Sequence, residues 1–432
     1  MISDPDPSPV SSHTGIPDPI SEIRFRGQSS APIGTGQPGS PTELILMAFS
    51  FISWSFTIFF IILQMLIILC CRSWHVNGCY TSIFSFGDSL ADTGNLKQVA
   101  SITGQFFPFL QPPYGETFFH KPTGRCSDGR LIIDFLAESL GLPLVRPFLH
   151  DSECVVWPGQ GVNYAVVGAT TLNSSFLEAR GIVNDLTNAS LGVQLAWFKQ
   201  SLASICSNVS DCRNLIGSSL ILVGEIGGND YNFPITDGKP IDEVEPFVPL
   251  VTDTIISVVD ELIEMGAQTL VVPGEFPLGC SSQYLTIRGS ESEEYDNTTG
   301  CLIKFNKFAE YHNELLQLKL NQLRELHPNV VIIYADYYNA AMQFIRSPDK
   351  FGFTNGALKA CCGLGGLYNY NRSSECGLPY VTVCDDPNTY AMWDGIHYTE
   401  AAYKIISNGL FHGPYTQPQF NLVCPFHSLV SS

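Results

Sequence analysis

Thr81-Ser82-Ile83-Phe84-Ser85-Phe86-Gly87-Asp88-Ser89-Leu90 is an apolar run that stops at a glycine and then delivers a serine. Residues 81–86 are short, β-branched and aromatic, and read as a buried strand. In an open parallel sheet, ligands gather beyond the carboxyl ends of the strands, which is where Ser89 falls. A helix beginning at that serine would also offer backbone N–H groups to an anion. Taken alone, the tripeptide is better read as a cap, with Asp88 or Ser89 satisfying helix donors and doing nothing else. No G-x-S-x-G occurs in the chain, so a regular α/β-hydrolase elbow is absent.

Outward from this strand, short β-rich runs alternate with longer helical stretches, the pattern of a parallel sheet covered by helices. Strands are expected over 220–225, 269–273 and 330–334. Helices are expected over 131–140, 250–265, 302–326 and 399–410, with Pro249 just before the second and Gly266 stopping it. The 302–326 segment places Phe305, Phe308, Leu315, Leu316, Leu320 and Leu323 on one stripe. Residues 231–244 contain three Pro or Gly and read as a loop beside the site.

Three further segments carry side chains that ester chemistry needs. Asp394 precedes His397 by three residues, a spacing that a helical turn would put on one face. Asp394 would then accept from Nδ1–H of the imidazole and fix its tautomer, leaving Nε2 to face Ser89 as general base. The competing reading is an ordinary surface turn. Asn229 follows the 220–225 strand and two glycines, so its amide is available to a developing oxyanion; alternatively it belongs to an Asn-Asp turn. Gly168, at the end of Asn163-Tyr164-Ala165-Val166-Val167-Gly168-Ala169, offers an N–H that no Cβ shields, or else marks close backbone packing.

The whole chain bounds these readings. Its 432 residues carry 22 Lys plus Arg against 41 Asp plus Glu, a formal charge of −19. Phosphate backbones would repel such a surface, so nucleic acid is excluded as a partner. Residues 1–43 are rich in Pro, Ser, Gly and Asp and read as a disordered extension, or an artefact of the chosen start codon. Leu44 to Cys71 contains no charged residue. One reading makes residues 44–78 a signal peptide starting effectively at Met47 and cut near Val76-Asn77-Gly78. The other makes 44–71 a membrane anchor, the only route by which a membrane becomes a partner. The Cys-rich sequence behind this segment favours the signal peptide. Residues 79–432 are then one domain. They hold twelve of the 14 Cys, an even number that suits an oxidising compartment. Cys206 with Cys212, and the cluster of Cys361, Cys362, Cys376 and Cys384, suggest local staples; buried free thiols are the alternative. No C-x-x-C occurs, which disfavours zinc ribbons and thioredoxin chemistry. Asn173, Asn188, Asn208, Asn297 and Asn371 stand in N-x-[ST] sequons and agree with secretion to the extracellular space or vacuole.

In combination the segments resemble the plant GDSL esterase/lipase family within the SGNH hydrolases. Phe86-Gly87-Asp88-Ser89-Leu90-Ala91-Asp92-Thr93-Gly94-Asn95 is similar to its first block, and residues 163–169 to the second. Gly227-Gly228-Asn229-Asp230 is similar to the third, and Trp393-Asp394-Gly395-Ile396-His397 to the last. Val272-Pro273-Gly274 with Pro277-Leu278-Gly279-Cys280, and Cys361-Cys362-Gly363, are similar to further recurrent segments. The resemblance covers residues 81–413 and implies a three-layer α/β/α flavodoxin-like fold with a central parallel sheet. It implies Ser89 as nucleophile, His397 as base and Asp394 as its orienter. Gly168, Asn229 and the Ser89 N–H form the implied oxyanion hole. Neither a metal nor an organic cofactor is implied. The stretches Gly124-Arg125-Cys126-Ser127-Asp128-Gly129-Arg130 and 224–232 look more like the sinapine esterase and acetylajmalan esterase subgroup, pointing to esters of small plant metabolites. An acyltransferase using the same acyl-enzyme, a long-chain lipase, and a non-catalytic binding protein of this fold are the alternatives. The oligomeric state is not legible.

Overall fold

The computed structural model describes residues 79–150, 161–290 and 293–424, which belong to one compact unit of the chain. The segments 1–43 and 44–78, read above as an extension and a signal peptide or anchor, lie outside the described residues. Among the described residues there are nine short strands: β1 Ile83–Phe86, β2 Arg146–Pro147, β3 Val162–Asn163, β4 Leu220–Val223, β5 Thr269–Pro273, β6 Val331–Ala335, β7 Cys362–Gly363, β8 Thr382–Val383 and β9 Thr416–Gln417. Seven form the main sheet in the order β2-β3-β1-β4-β5-β6-β9. All neighbours are parallel except β6 and β9, which pair antiparallel at one edge. That edge strand is the one departure from the expected parallel sheet. β7 and β8 make a separate two-stranded ribbon.

β1, β4 and β5 are buried along their whole length. A strand covered on both faces has no reason to alternate, which is why these segments read as continuous apolar runs. The principal helices are α1 Asn95–Thr103, α2 Ile132–Ser139, α3 Leu191–Ile205, α4 Gly228–Thr236, α5 Phe247–Glu264, α6 Ile303–Leu326, α7 Tyr337–Ile345 and α8 Glu400–Phe411. One packed group contains α3, α5 and α6; another contains α2, α7 and α8. The result is a three-layer α/β/α sandwich of the expected class, with one large core and two small apolar clusters beside it. Among the described residues no helix is long and apolar enough to cross a membrane.

Two expectations need correction. The 231–244 segment is not a loop: α4 runs through it, and a short helix follows at Ile241–Val244. Pro234 lies near the end of α4 and removes a single ladder bond, while Tyr231 and Ile235, one turn apart, are both fully buried. α5 begins before Pro249 rather than after it. The proline sits in the first turn, where an N–H has no helical partner to lose.

Among the described residues five disulfides join Cys79–Cys424, Cys206–Cys212, Cys280–Cys301, Cys361–Cys384 and Cys362–Cys376. The short 206–212 link and the paired links of the Cys361 cluster are the expected local staples. Cys126, by contrast, is a buried thiol, so an even count of Cys does not mean that all are paired. Cys79–Cys424 ties together positions 345 apart, at the two ends of the domain. Because it restricts the unfolded chain, replacing both residues by Ser is expected to cost about 2–5 kcal/mol of stability. Urea unfolding followed by tryptophan fluorescence measures it; a midpoint unchanged from wild type would contradict the assignment.

Candidate active site

Ser89 sits in a turn at the end of β1. Gly87, at φ 142°, is required there, because a Cβ would stand 3.0 Å from the Glu225 carbonyl oxygen. Gln194 on α3 clamps this glycine from both sides: the Gly87 N–H donates to its Oε1 at 2.9 Å, and its Nε2 donates to the Gly87 oxygen at 2.8 Å. Asp88 then caps a single turn, accepting the Leu90 N–H through Oδ1 at 2.9 Å. The expected helix does not start at Ser89 but six residues later, at Asn95. Asp88 therefore closes a turn rather than capping a helix, while the Ser89 hydroxyl is left to face elsewhere.

It faces His397. The Ser89 Oγ to His397 Nε2 distance is 2.8 Å, and His397 Nδ1 to Asp394 Oδ2 is 2.7 Å. With Nδ1–H donating to the carboxylate, Nε2 is the acceptor for the serine proton. The three side chains are 8%, 2% and 7% exposed for Ser89, His397 and Asp394. The spacing of Asp394 and His397 works for a reason other than the helical turn expected. Asp394 Oδ1 accepts the N–H groups of Ile396 and His397 at 3.0 and 2.9 Å, a side-chain-closed turn. Gly395 has φ 98° within it, and a Cβ there would run into the Tyr370 ring. Cys361 and Cys362 hold this segment from outside, donating their N–H groups to the Met392 and Trp393 carbonyls. The two disulfides of the cluster thus brace the segment that carries Asp394.

Burial alone would raise the Asp394 carboxyl. The charge of His397 and the hydrogen bonds from His397 and Ile396 outweigh it and hold the group below its ordinary value. Tyr114 adds a fourth donor, its hydroxyl 2.8 Å from Oδ2. Nothing in the sequence points to Tyr114, which lies 280 residues away.

The second and third segments are fastened to the first by buried polar groups. Asp92 Oδ1 accepts from Gly94 and Asn95 and Oδ2 from Leu96 and Val167, so one carboxylate starts α1 and holds the residue before Gly168. Desolvation raises this carboxyl to about 6, its four N–H donors opposing the shift. Asn95 Nδ2 donates to the Asn163 and Ala165 carbonyls, and Asn163 Nδ2 returns a bond to Ala91. Gly168 has φ 79°, and a Cβ there would meet Leu186 at 2.7 Å. Asp230 accepts the Thr171 and Leu172 N–H groups at 2.7 and 2.9 Å, joining the start of α4 to the loop after Gly168.

Asn229 stands at the beginning of α4, not in an Asn-Asp turn. Its Nδ2 donates to Asp88 Oδ2 at 3.1 Å and to the Ala169 oxygen at 3.0 Å. Ser89, Gly168, Asn229 and His397 all line one cavity of about 380 Å³, into which Phe109, Phe233 and Arg372 also project. The Gly124–Arg130 stretch lies elsewhere in function. Arg125 pairs with buried Asp134 at 2.7 Å, and Arg130 with Glu400 at 2.6 Å. Asp128 Oδ1 accepts the Glu400 N–H, so this segment secures the start of α8 behind His397 rather than meeting a ligand. All five sequon asparagines are exposed.

With serine, imidazole and carboxylate in line at the carboxyl edge of this sheet, the comparisons with known proteins agree on the class. The model of the GDSL-like lipase/acylhydrolase family matches residues 83–410. The protein is a carboxylic ester hydrolase of the SGNH type. Two Arabidopsis thaliana proteins, each named a GDSL esterase/lipase, are 54% and 56% identical to it over 346 residues, 80% of this chain and 87% of theirs. A third from the same plant and of the same name is 52% identical over 391 residues, 90% of this chain and 96% of its own. The chain belongs to the plant GDSL esterase/lipase family, whose substrates are small-molecule or lipid esters.

Because Tyr114 donates to an ionised, buried carboxylate, Tyr114→Phe is expected to cost about 1.5–3 kcal/mol of stability at neutral pH. Asp394 is depressed in the folded state, so its contribution is present above the ordinary carboxylate range and is lost as pH falls through the depressed value. The Tyr114→Phe penalty should therefore shrink in acid. Urea unfolding at neutral and acid pH measures both; a penalty that is the same at each pH contradicts the charged pairing.

Proposed function

We propose that this chain is a secreted, glycosylated serine esterase acting on esters of small plant metabolites. The observation that carries the reading is the unbroken line Ser89–His397–Asp394, at 2.8 and 2.7 Å. Ser89 Oγ attacks the ester carbonyl carbon while His397 Nε2 takes its proton. Asp394 keeps the imidazole in the tautomer that accepts, and stabilises the imidazolium that forms. The N–H groups of Ser89 and Gly168 and the amide of Asn229 receive the oxyanion. The imidazolium then protonates the departing alcohol, leaving an acyl group on Ser89. Water enters, gives its proton to His397 and attacks the acyl carbon; collapse of the second tetrahedral intermediate frees the acid and returns the proton to Ser89. Asn229 leaves Asp88 or Ala169 to engage the oxyanion.

The cavity of about 380 Å³ is within the range of small-molecule sites, which supports a compact ester over a long acyl chain. Secretion and glycosylation are supported by the five disulfides and the five exposed sequon asparagines.

Purified protein is expected to hydrolyse p-nitrophenyl acetate, and Ser89→Ala to abolish it; equal slow hydrolysis by both proteins overturns the reading. Asn229→Ala should lower kcat by about 10²–10³-fold, the loss of one oxyanion donor, with KM little changed. A loss below threefold would remove Asn229 from the oxyanion hole.

A further inference from the structure

The mechanism leaves a chain of buried carboxyl groups unused. Asp88, Glu225 and Glu275 follow the adjacent strands β1, β4 and β5, and are 3%, 4% and 2% exposed. Asp88 is in hydrogen-bonding contact with Glu225, and Glu225 with Glu275. The two glutamates converge on Gly228, where an added Cβ would meet Glu225 Oε1 at 3.1 Å and Glu275 Oε2 at 3.3 Å. All three line a narrow cavity of about 60 Å³ that opens on Ser89 and His397. Among the described residues none of the three makes an ion pair, and Glu275 Oε1 is buried without a donor. Carboxyl groups touch in this way only when protons lie between them: two contacts among three groups require two protons and leave at most one negative charge.

The near end of this chain touches the oxyanion donor. Asp88 Oδ2 accepts from Asn229 Nδ2, and the same amide must turn to the oxyanion during the reaction. An ionised Asp88 would grip that N–H in a charge-assisted bond and set a negative charge beside the developing oxyanion. An uncharged Asp88 accepts weakly and repels nothing.

We propose that Glu225 and Glu275 are positioning residues: they share protons with Asp88, keep it uncharged, and so leave the Asn229 amide free to serve the oxyanion. This rests on Ser89 and Asn229 having the roles given above. Burial raises all three carboxyls, and neighbouring carboxyls raise them further. Glu275 reaches about 8, whereas its hydrogen bond with Glu225 opposes the shift. The Glu225 contact with Glu275 raises Glu225, and that of Asp88 with Glu225 raises Asp88. His397, Cys126 and Tyr337 are the other titratable groups that act on Asp88 or feel its charge. Asp230, Tyr231, Tyr284, Tyr334 and Tyr337 surround the glutamates, and His312 lies close to them. Burial holds His312 at about 3 and pushes the tyrosines upward, so these stay neutral. Asp230, raised to about 7 by burial, faces backbone N–H groups instead.

Glu225→Gln tests this without opening a cavity. An amide at 225 donates to Asp88 and favours its carboxylate, so kcat for p-nitrophenyl acetate should fall about tenfold at pH 8, with KM within about twofold. The deficit should grow as pH rises. Adding Asp88→Asn, which cannot ionise, should bring kcat back to within about threefold of wild type and remove the pH dependence of the deficit. A packing defect would show neither the pH dependence nor the rescue. Glu275→Gln donates to Glu225 instead and leaves Asp88 its proton, so its deficit should be much the smaller of the two; Asp88→Asn alone serves if Glu225→Gln does not fold, and should keep kcat within about threefold of wild type at every pH. A wild-type pH profile in Glu225→Gln, or no rescue by Asp88→Asn, overturns the inference while Ser89→Ala remains inactive. If Ser89→Ala is as active as wild type, the esterase reading itself has failed.

Discussion

The contact between Ser89 and His397 joins residues 308 apart, and it is only as good as the two turns that present them. A serine proton is transferred across a few tenths of an ångström of tolerance, so both ends must be fixed. On one end Gly87 is locked by Gln194 and by the approach of the Glu225 carbonyl. On the other, Asp394 closes its own turn, takes the imidazole and accepts Tyr114, while the Cys361 and Cys362 backbone holds the segment behind it. These ties are polar and buried. They satisfy groups that would otherwise be costly to bury, and they fix direction as apolar packing does not.

The strands and helices of the domain were largely legible because parallel strands buried on both faces leave uninterrupted apolar runs. β4 and β5 fall where Leu220 and Thr269 announce them. The antiparallel β9 is two residues long and carries no such run. α4 was misread because Pro234 and Gly238 look like a loop, while the burial of Tyr231 and Ile235 that sustains the helix is a tertiary fact. Ser89, Asp394 and His397 were legible as residues, and so were the contacts of Nδ1 with Asp394 and of Nε2 with Ser89; the local backbone was not. The i, i+3 spacing suggested a helical face, whereas the actual device is a carboxylate closing a turn around Gly395. Tyr114 and Gln194 act across long sequence separations and left no local signal. Asp92 and Asp230 stood inside the quoted motifs, yet only the fold shows that they tie one motif to the next.

The carboxyl chain from Asp88 through Glu225 to Glu275 gives the site a second layer. It lies at the ends of three neighbouring strands, where the topology concentrates both reactive groups and the backbone that serves them. Asp88 is the hinge between the layers, capping the serine turn through one oxygen and meeting Asn229 through the other. A motif residue that reads as a cap thus also contacts the proposed oxyanion donor.

The central claim, that Ser89 is the nucleophile poised by His397 and Asp394, is tested most directly by covalent labelling. A fluorophosphonate reacts with a serine only when an adjacent base activates it. Incubation of the native enzyme with an alkyl fluorophosphonate, followed by peptide mass spectrometry, should find one adduct per chain, on Ser89, with labelling lost in His397→Ala. A native protein that stays unlabelled, or that carries the adduct on another residue, would contradict the account.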